Sequence, residues 1–240
     1  MENLRHVEHI ETLIIGGGQA GLAMGYQLAR RGRSFLIVDA SDRIGDAWRE
    51  RWDSLRLFTA ARYDGLPGLP FPAPPHYFPT KDEMADYLER YAGHFGLPVR
   101  TGTRIERLTR AEDGRFVAVS DAGRFRADNV VVAMANYQEP RVPDLADELD
   151  PEVIQIHSAD YRNPSQLQDG PVLLVGAGNS GSEIAMELAS RHEVWMSGRD
   201  VGNLPFRIAG RIGRTLMVPL VLKVLFHRVF TRWTPIGRML

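Results

Sequence analysis

The residues with the clearest chemical meaning in this 240-residue sequence are two glycine-rich hexads that repeat one pattern. Gly16-Gly17-Gly18-Gln19-Ala20-Gly21 follows the apolar run 12–15, and Gly176-Ala177-Gly178-Asn179-Ser180-Gly181 follows the apolar run 172–175. In a strand–turn–helix unit, the first glycine permits the tight turn, the second lets the backbone approach a pyrophosphate, and the third lets helix and strand pack closely. The phosphates bind free N–H groups at the helix N-terminus. Each hexad therefore predicts a dinucleotide-binding turn.

Each hexad is followed, at the same interval, by a charged residue of opposite sign. Asp39 lies 18 residues after Gly21, and Arg199 lies 18 residues after Gly181. A side chain at this position reads the adenosine ribose. A carboxylate accepts hydrogen bonds from the two ribose hydroxyls and repels a 2′-phosphate, whereas a guanidinium binds that phosphate. Asp39 therefore favours FAD or NAD, and Arg199, with Ser197 two residues before it, favours NADP.

A simpler interpretation is that each hexad is only a strand-to-helix turn and that each charged residue is a solvated strand end. Helical periodicity follows both hexads, however, and a β run follows each predicted helix. This is the structural context that the binding motif requires. Two copies with matching spacing therefore favour two dinucleotide sites.

Composition excludes several classes of function. The chain is 44% hydrophobic and 25% charged, which is typical of a soluble globular protein, and its net charge of −1 gives no general attraction to nucleic acid. It has no cysteine, which excludes disulfides, thiolate metal sites and a redox-active cysteine pair. The N-terminus does not resemble a signal peptide, and no apolar run is long enough to span a bilayer. We therefore expect a cytoplasmic protein.

The order of the predicted elements indicates an α/β fold. We predict two Rossmann-like dinucleotide-binding units with a small antiparallel β excursion, the second unit being incomplete. A capping box at 80–83 begins an amphipathic helix after the proline-rich stretch 66–79. Short alternating runs over 104–127 predict the antiparallel excursion, and the run 129–133 predicts a separate, buried parallel strand that returns to the first sheet. The expected domains are a first dinucleotide-binding domain (1–150), a partial second one (151–200) and a basic amphipathic segment (201–240); the family resemblance described next implies FAD for the first and NADPH for the second.

Further motifs resemble the flavin-containing monooxygenases, particularly the bacterial and plant branch that includes the YUCCA enzymes. The resemblance covers about residues 10–199 and follows the family in order. The motifs are Gly45-x-x-Trp48-Arg49, the segment 52–57, Pro70-Phe71-Pro72, the segments 77–81 and 87–92, the segment 136–143, and His157-Ser158-Ala159-Asp160-Tyr161.

The hexads and this resemblance together assign cofactor binding to a set of residues, while no catalytic residue and no metal site is identified. Trp48 could cover the flavin or pack a loop, and His157 could position a cofactor or be merely solvated. The cofactor-binding set is Gly16, Gly18, Gln19, Ala20, Gly21, Asp39, Gly45, Trp48, Arg49, Ile105, Ala133, His157, Tyr161, Gly176, Gly178, Asn179, Ser180, Gly181, Ser197 and Arg199.

The sequence departs from the family in four places. Pro151 and Val153 stand where the linking motif begins Phe-x-Gly, and Phe58-Thr59 falls near an active-site asparagine of several members. Ala135 stands where the family has a glycine, so an alanine must adopt that backbone turn. The family's chain also continues well past residue 240, which indicates a C-terminally short member.

The resemblance implies an NADPH-dependent FAD monooxygenase that acts through a flavin peroxide, with O₂ and a small nucleophilic substrate such as an amine or sulfide. Two alternatives remain open: an NADPH:acceptor reductase without oxygenation, and a non-catalytic FAD- and NADP-binding remnant.

The C-terminal segment 201–240 carries seven basic residues and no acidic residue, with apolar residues at helical spacing over 216–229. It could contact an anionic membrane surface. The favoured interpretation is an apolar face that the longer family chain covers, which predicts self-association.

Overall fold

The structure is a computed structural model that describes residues 7–121, 123–137, 139–199, 202, 210–221, 224, 228, 231, 233 and 234. The chain divides into two compact units, one formed by residues 1–172 with 183–195 and the other by residues 173–182 with 196–240. The strands are β1 (Val7–Ile15), β2 (Phe35–Val38), β3 (Val99–Arg100), β4 (Ile105–Arg110), β5 (Phe116–Ser120), β6 (Gly123–Val132), β7 (Val172–Val175) and β8 (Val194–Ser197). The α-helices are α1 (Gln19–Ala29), α2 (Asp46–Arg49), α3 (Lys81–His94) and α4 (Asn179–Leu188).

The first unit contains a six-stranded sheet in the order β3-β2-β1-β6-β5-β4. Strands β3, β2, β1 and β6 run parallel, while β6, β5 and β4 pair in antiparallel fashion. The predicted α/β fold with an antiparallel excursion is therefore confirmed.

One expectation about the sheet is wrong. The runs 123–127 and 129–133 are not two strands, because β6 is one continuous ten-residue strand that pairs with β1 on one side and β5 on the other. The predicted burial of its second half is not observed either, since the Val132 side chain is 60% exposed. The core cluster around Leu13 and Leu36 extends along β6 only as far as Val130.

The core lies on both faces of the parallel strands because side chains alternate along each strand. Leu13 and Ile15 of β1 join a core cluster with Leu36 and Val38 on one face. On the other face, a Cβ added to Gly25 of α1 would come within 2.8 Å of the Ile37 side chain. Helix α1 therefore packs directly on the strands that it connects.

Helix α3 begins with the capping box that the sequence predicts. The Thr80 hydroxyl accepts a hydrogen bond from the Glu83 N–H, and the Glu83 carboxylate accepts one from the Thr80 N–H. These bonds satisfy backbone donors that the first helical turn leaves free. The predicted apolar face is also confirmed as buried, with Phe95 just after the helix end. Its buried members are Met84, Tyr87, Leu88 and Tyr91.

Two tyrosines of α3 hold the proline-rich segment. The Tyr87 hydroxyl accepts from the Leu66 N–H at 2.6 Å and donates to the Leu69 carbonyl at 2.7 Å. The Tyr91 hydroxyl donates to the Pro67 carbonyl at 2.6 Å. Side-chain hydroxyls thus replace the backbone pairing that proline cannot supply.

Strands β7 and β8 form a separate two-stranded sheet around α4. The Val172 N–H donates to the Glu193 carbonyl, and the Gly176 N–H donates to the Ser197 carbonyl. The partners advance together along the chain, so the two strands run parallel. The boundary between the two units crosses this strand–helix–strand motif. It is the second Rossmann-like unit, with two strands in the described residues.

The C-terminal segment is described only in part. Residues 211–221 are helical, and the Ile212 and Leu216 side chains are exposed. Within the predicted helical spacing over 216–229, residues 222, 223, 225–227 and 229 lie outside the described residues. Within the described part of the chain, no helix is long and apolar enough to cross a membrane.

Ala135 has φ of 58°, in the left-handed region. This conformation is expected at a position where the family has glycine. We expect Ala135→Gly to raise the free energy of unfolding by about 0.5–1 kcal/mol, because glycine adopts this conformation without a Cβ clash. Urea unfolding measures the change. Ala60→Gly is the matched control, since Ala60 has φ of −82° and should lose stability. An Ala135→Gly protein no more stable than the wild type would contradict the expected strain.

Candidate dinucleotide-binding site

The first hexad makes a turn in which two glycines are sterically required. Gly16 has φ of +110°, and a Cβ there would come within 2.6 Å of the Ala133 carbonyl oxygen. A Cβ on Gly21 would overlap the carbonyl oxygen of Gly16. Around Gly18, by contrast, a Cβ would meet no atom within 4 Å. The turn is therefore tight on the protein side and open at its middle glycine.

The N-terminus of α1 is available to an anion. Gly18 at its N-cap supplies no side-chain hydrogen bond, the first turn has no acidic residue, and Gln19 and Ala20 are exposed. The N-terminus of α3 is instead closed by its capping box. Free N–H groups and the positive end of the helix dipole make such a terminus a binding site for phosphate. These features fit the pyrophosphate of a dinucleotide.

The Asp39 carboxylate is held beside the hexad. Its Oδ2 accepts the Gly17 N–H at 2.5 Å, and its Oδ1 accepts the Ser41 N–H at 2.8 Å. Its backbone is fixed by bonds to the carbonyl of Arg100 and from the N–H of Thr103. Each carboxylate oxygen keeps a free lone pair. Asp39 is thus oriented to accept hydrogen bonds from a ribose next to the turn.

The residues after β6 reach the same edge of the sheet. The Ala133 N–H donates to the Ile15 carbonyl at 2.7 Å, which continues the β1–β6 pairing to the hexad. Ile105, at the start of β4, instead packs half-buried against the core cluster. The structure therefore brings Ala133 to the hexad and places Ile105 in the packing of the sheet.

The 45–49 segment lies on α3. Gly45 has φ of +92°, and a Cβ there would come within 2.6 Å of the Ala85 carbonyl. The Arg49 guanidinium donates to the Ile44 carbonyl at 2.7 Å and to Asp86 of α3 at 2.9 Å. Trp48 between them is half-buried. Arg49 is therefore engaged within the protein, and Trp48 is the aromatic side chain that this segment partly presents to solvent.

His157 and Tyr161 lie on one turn but have different surroundings. The Tyr161 N–H donates to the His157 carbonyl, and His157 Nδ1 accepts the Ala159 N–H at 3.1 Å. Tyr161 is buried, and its hydroxyl donates to Glu187 of α4 at 2.7 Å. Burial first, and then the Glu187 carboxylate, raise the pKa of Tyr161 above its ordinary value. Tyr161 thus connects the 157–161 turn to α4, whereas the Nε2 of half-buried His157 has no hydrogen-bond partner among the described residues.

The second hexad repeats the geometry of the first. Gly176 has φ of +114°, a Cβ on Gly181 would overlap the Gly176 carbonyl oxygen, and Gly178 faces open space. Asn179 is exposed and Ser180 is half-buried, at the start of α4.

The end of β8 lies beside the second hexad. A Cβ on Gly198 would come within 2.6 Å of the Ala177 nitrogen. The flanking residues Ser197 and Arg199 are exposed, and no described residue forms an ion pair or a hydrogen bond with the Arg199 guanidinium. The guanidinium is thus available to an anionic ligand next to this turn.

Sequence reasoning missed the buried carboxyl of Asp64, which lies beside the Thr59 position noted above. The Thr59 hydroxyl donates to Asp64 Oδ1, and Oδ2 has no hydrogen-bond partner among the described residues. Burial raises the pKa of Asp64. No spacing rule marks such a residue, because its burial depends on how the 59–64 turn packs.

These two hexads and their charged partners define a protein with two dinucleotide-binding units. Comparison of the chain with known proteins identifies its family. The chain belongs to the pyridine nucleotide-disulphide oxidoreductase family, whose model matches residues 13–204. The CzcO-like oxidoreductase of Geobacillus kaustophilus (strain HTA426) is 46% identical over 209 residues, covering 87% of this chain and 59% of that protein. The indole-3-pyruvate monooxygenase YUCCA1 of Oryza sativa subsp. japonica is 34% identical over 206 residues, covering 80% of this chain and 49% of that protein.

A solved structure agrees with these relatives. The flavin-containing monooxygenase from Stenotrophomonas maltophilia has a TM-score of 0.75 and 32% identity, covering 83% of this chain and 59% of that protein. The resemblance to flavin monooxygenases in the sequence is thereby confirmed. The chain spans only about half to three fifths of the length of these proteins.

The open space at the middle glycines generates a paired prediction. We expect Gly18→Ala to leave the melting temperature unchanged but to weaken FAD binding about tenfold or more, because the new methyl group lies where the phosphates approach the backbone. Gly178→Ala is the matched variant and should weaken NADP⁺ binding instead. Flavin fluorescence titration and calorimetry measure the two affinities. Equal loss of both ligands in either variant would contradict independent sites.

Asp64 generates a prediction about pH. Its folded-state pKa is raised, so the stability that it contributes is present below its unfolded pKa and is lost as the pH rises through the folded value. Asp64→Asn keeps an acceptor for Thr59 and removes this loss. We expect the variant to gain stability over the wild type as the pH rises from 4 towards 8, in thermal unfolding. A stability difference between variant and wild type that does not change with pH would show that ionisation of Asp64 does not destabilise the folded protein.

Proposed function

We propose that this chain forms the FAD- and NADPH-binding part of a flavin-dependent monooxygenase, and that the whole protein oxygenates a small nucleophilic substrate such as an amine or sulfide. The observation that carries the proposal is the repeated hexad geometry, with Asp39 beside one copy and Arg199 beside the other. Among the described residues, the Arg199 guanidinium has no ion-pair or hydrogen-bond partner. The monooxygenase activities of YUCCA1 and of the Stenotrophomonas enzyme support oxygenation as the type of reaction.

In this proposal, the first hexad binds FAD. The N–H groups at the start of α1 hold the pyrophosphate, and Asp39 accepts hydrogen bonds from the ribose. Gly45 permits the 45–49 segment to approach α3 closely, and Trp48 lies on that segment, where it can limit access of water to the cofactor. The bound flavin supplies the electron transfer and the reaction with oxygen, which no side chain can supply.

The second hexad binds NADPH in this proposal. The start of α4, with Gly178, Asn179 and Ser180, holds the pyrophosphate. Arg199 binds the 2′-phosphate, with Ser197 as a further donor. We also propose His157 as a cofactor-positioning residue, whereas Tyr161 fixes the turn that carries His157. Ile105 has only an indirect part in cofactor binding in this proposal, because its side chain packs β4 against the core.

The remaining sequence expectations are part of the proposal. Resemblance supports the division of the chain at 1–150, 151–200 and 201–240, and O₂ and a small molecule as reactants. Composition supports a cytoplasmic location and the absence of a nucleic-acid partner. For segment 201–240, we favour self-association over membrane contact, because the longer family chain would cover its apolar side chains, of which Leu216 is exposed here.

Two other functions are open to the same fold. A reductase would pass electrons from NADPH to an acceptor, and a remnant would bind nucleotides without turnover. The absence of cysteine from these 240 residues disfavours a reductase of the disulfide type. Aerobic incubation of the FAD-loaded protein with NADPH and a panel of thioethers and tertiary amines separates the three. Oxygenated product supports the proposal, whereas NADPH oxidation that yields only hydrogen peroxide with every substrate contradicts it. A protein with neither bound flavin nor NADPH oxidation would be the remnant.

The exposed Arg199 guanidinium generates a prediction about coenzyme choice. We expect Arg199→Ala to weaken NADPH binding by about 1.5–3 kcal/mol and to leave NADH binding nearly unchanged, because only NADPH carries the 2′-phosphate. Isothermal titration with both coenzymes tests this without any turnover. Arg191→Ala, another exposed arginine before β8, is the control. Equal weakening of both coenzymes would exclude Arg199 as the phosphate-binding residue.

A further inference from the structure

Lys81 is a buried cation in an unfavourable position. It is one of two lysines in the sequence, it is the first residue of α3, and it is only 6% exposed. Removing an ammonium group from water costs free energy, and the positive end of a helix dipole repels it. Specific contacts must therefore compensate for its burial.

The ammonium group contacts the end of α2. Its Nζ donates to the Arg49 carbonyl at 2.9 Å and to Asp82 Oδ1 at 2.9 Å. Arg49 is the last residue of α2, and the last carbonyls of a helix have no partner within it. The Asp82 carboxylate is 62% exposed, so this ion pair contributes little. The bond to the Arg49 carbonyl is therefore the distinctive contact.

The backbone of Lys81 is fixed at the same time. Its N–H donates to the Leu55 carbonyl at 3.1 Å, and the neighbouring Leu57 N–H donates to the Pro79 carbonyl at 2.8 Å. Lys81 thus links three parts of the first unit: the end of α2, the 55–57 segment and the start of α3.

Helix α2 depends on such external contacts. It has four residues, which is too short for a helix to be stable by its own hydrogen bonds. Gly45 presses its N-terminal side against Ala85, and Lys81 binds its C-terminal carbonyl. Trp48 lies between these two anchors, so its orientation depends on both.

We propose that Lys81 is a positioning residue that fixes α2 and thereby holds Trp48 in place at the flavin. The effect on the flavin rests on the function proposed above, whereas the effect on Trp48 is a property of the protein alone. Lysine suits this role because a compact ammonium group fits a single carbonyl, whereas a guanidinium is a wide planar fork.

The flavin-free protein tests the first half of this proposal. We expect Lys81→Met, which keeps the length of the side chain, to raise acrylamide quenching of Trp48 fluorescence roughly twofold through local opening. The change is isolated by repeating the comparison in a Trp48→Phe background, where it should vanish. Asp82→Asn, which keeps the carbonyl bond, and Arg31→Met in the exposed turn after α1 are the controls. An equal change with and without Trp48 would overturn the proposal.

A measurement on the wild-type protein covers the case in which Lys81→Met does not fold. Amine-reactive labelling, followed by peptide mass spectrometry, should modify Lys81 far more slowly in the folded protein than in the same protein unfolded in urea. Labelling of Lys81 at the same rate in both states would contradict a lysine held by α2.

The second half of the proposal is tested with FAD. We expect Lys81→Met to bind FAD about tenfold more weakly and to change the visible circular dichroism of the bound flavin, whereas Asp82→Asn does neither. A change in quenching without a change in the flavin signal would overturn the link to the cofactor. A wild-type protein that does not bind FAD would refute the proposed function, and the quenching result would still decide the role of Lys81 in holding Trp48.

Discussion

The candidate site depends on one steric constraint, the close approach of backbone to backbone at the carboxyl edge of the parallel sheet. Gly16 lies against the Ala133 carbonyl, and Gly21 lies against Gly16 itself. A single methyl group at either glycine would separate β1 from β6 or α1 from the turn. Because these contacts bring the strands and helix together, the N-terminus of α1 and the carboxylate of Asp39 lie at the same edge. The second hexad repeats this constraint between Gly176 and Gly181.

Polar groups at the ends of the helices distinguish binding elements from structural ones. At α3, Thr80 and Glu83 satisfy the free N–H groups, and two tyrosines of that helix hold the proline-rich segment. At α1, no side chain takes this role, so an anionic ligand has donors to bind. The carboxylate of Asp39 at the first turn favours a ligand with a free ribose, and the guanidinium of Arg199 at the second turn favours one with a 2′-phosphate.

Much of this arrangement could be predicted from the sequence, because glycine spacing, capping residues and hydrophobic periodicity act locally. The helix after Thr80 and the left-handed Ala135 are examples. The continuity of β6 could not be predicted, since it depends on pairing with β1, more than 100 residues earlier. The Tyr161–Glu187 bond was missed for the same reason, because it joins residues 26 positions apart. The burial of Asp64 was missed because it depends on how the 59–64 turn packs, which no residue pattern marks.

The measurement that tests the central claim most directly is the visible absorption spectrum of the FAD-reconstituted protein before and after anaerobic addition of NADPH. If both hexads bind their cofactors and act together, a flavin spectrum will be present and will bleach with NADPH, and more weakly with NADH. A protein that takes up no FAD, or one whose bound flavin is not reduced by NADPH, would contradict the account of two cooperating dinucleotide sites.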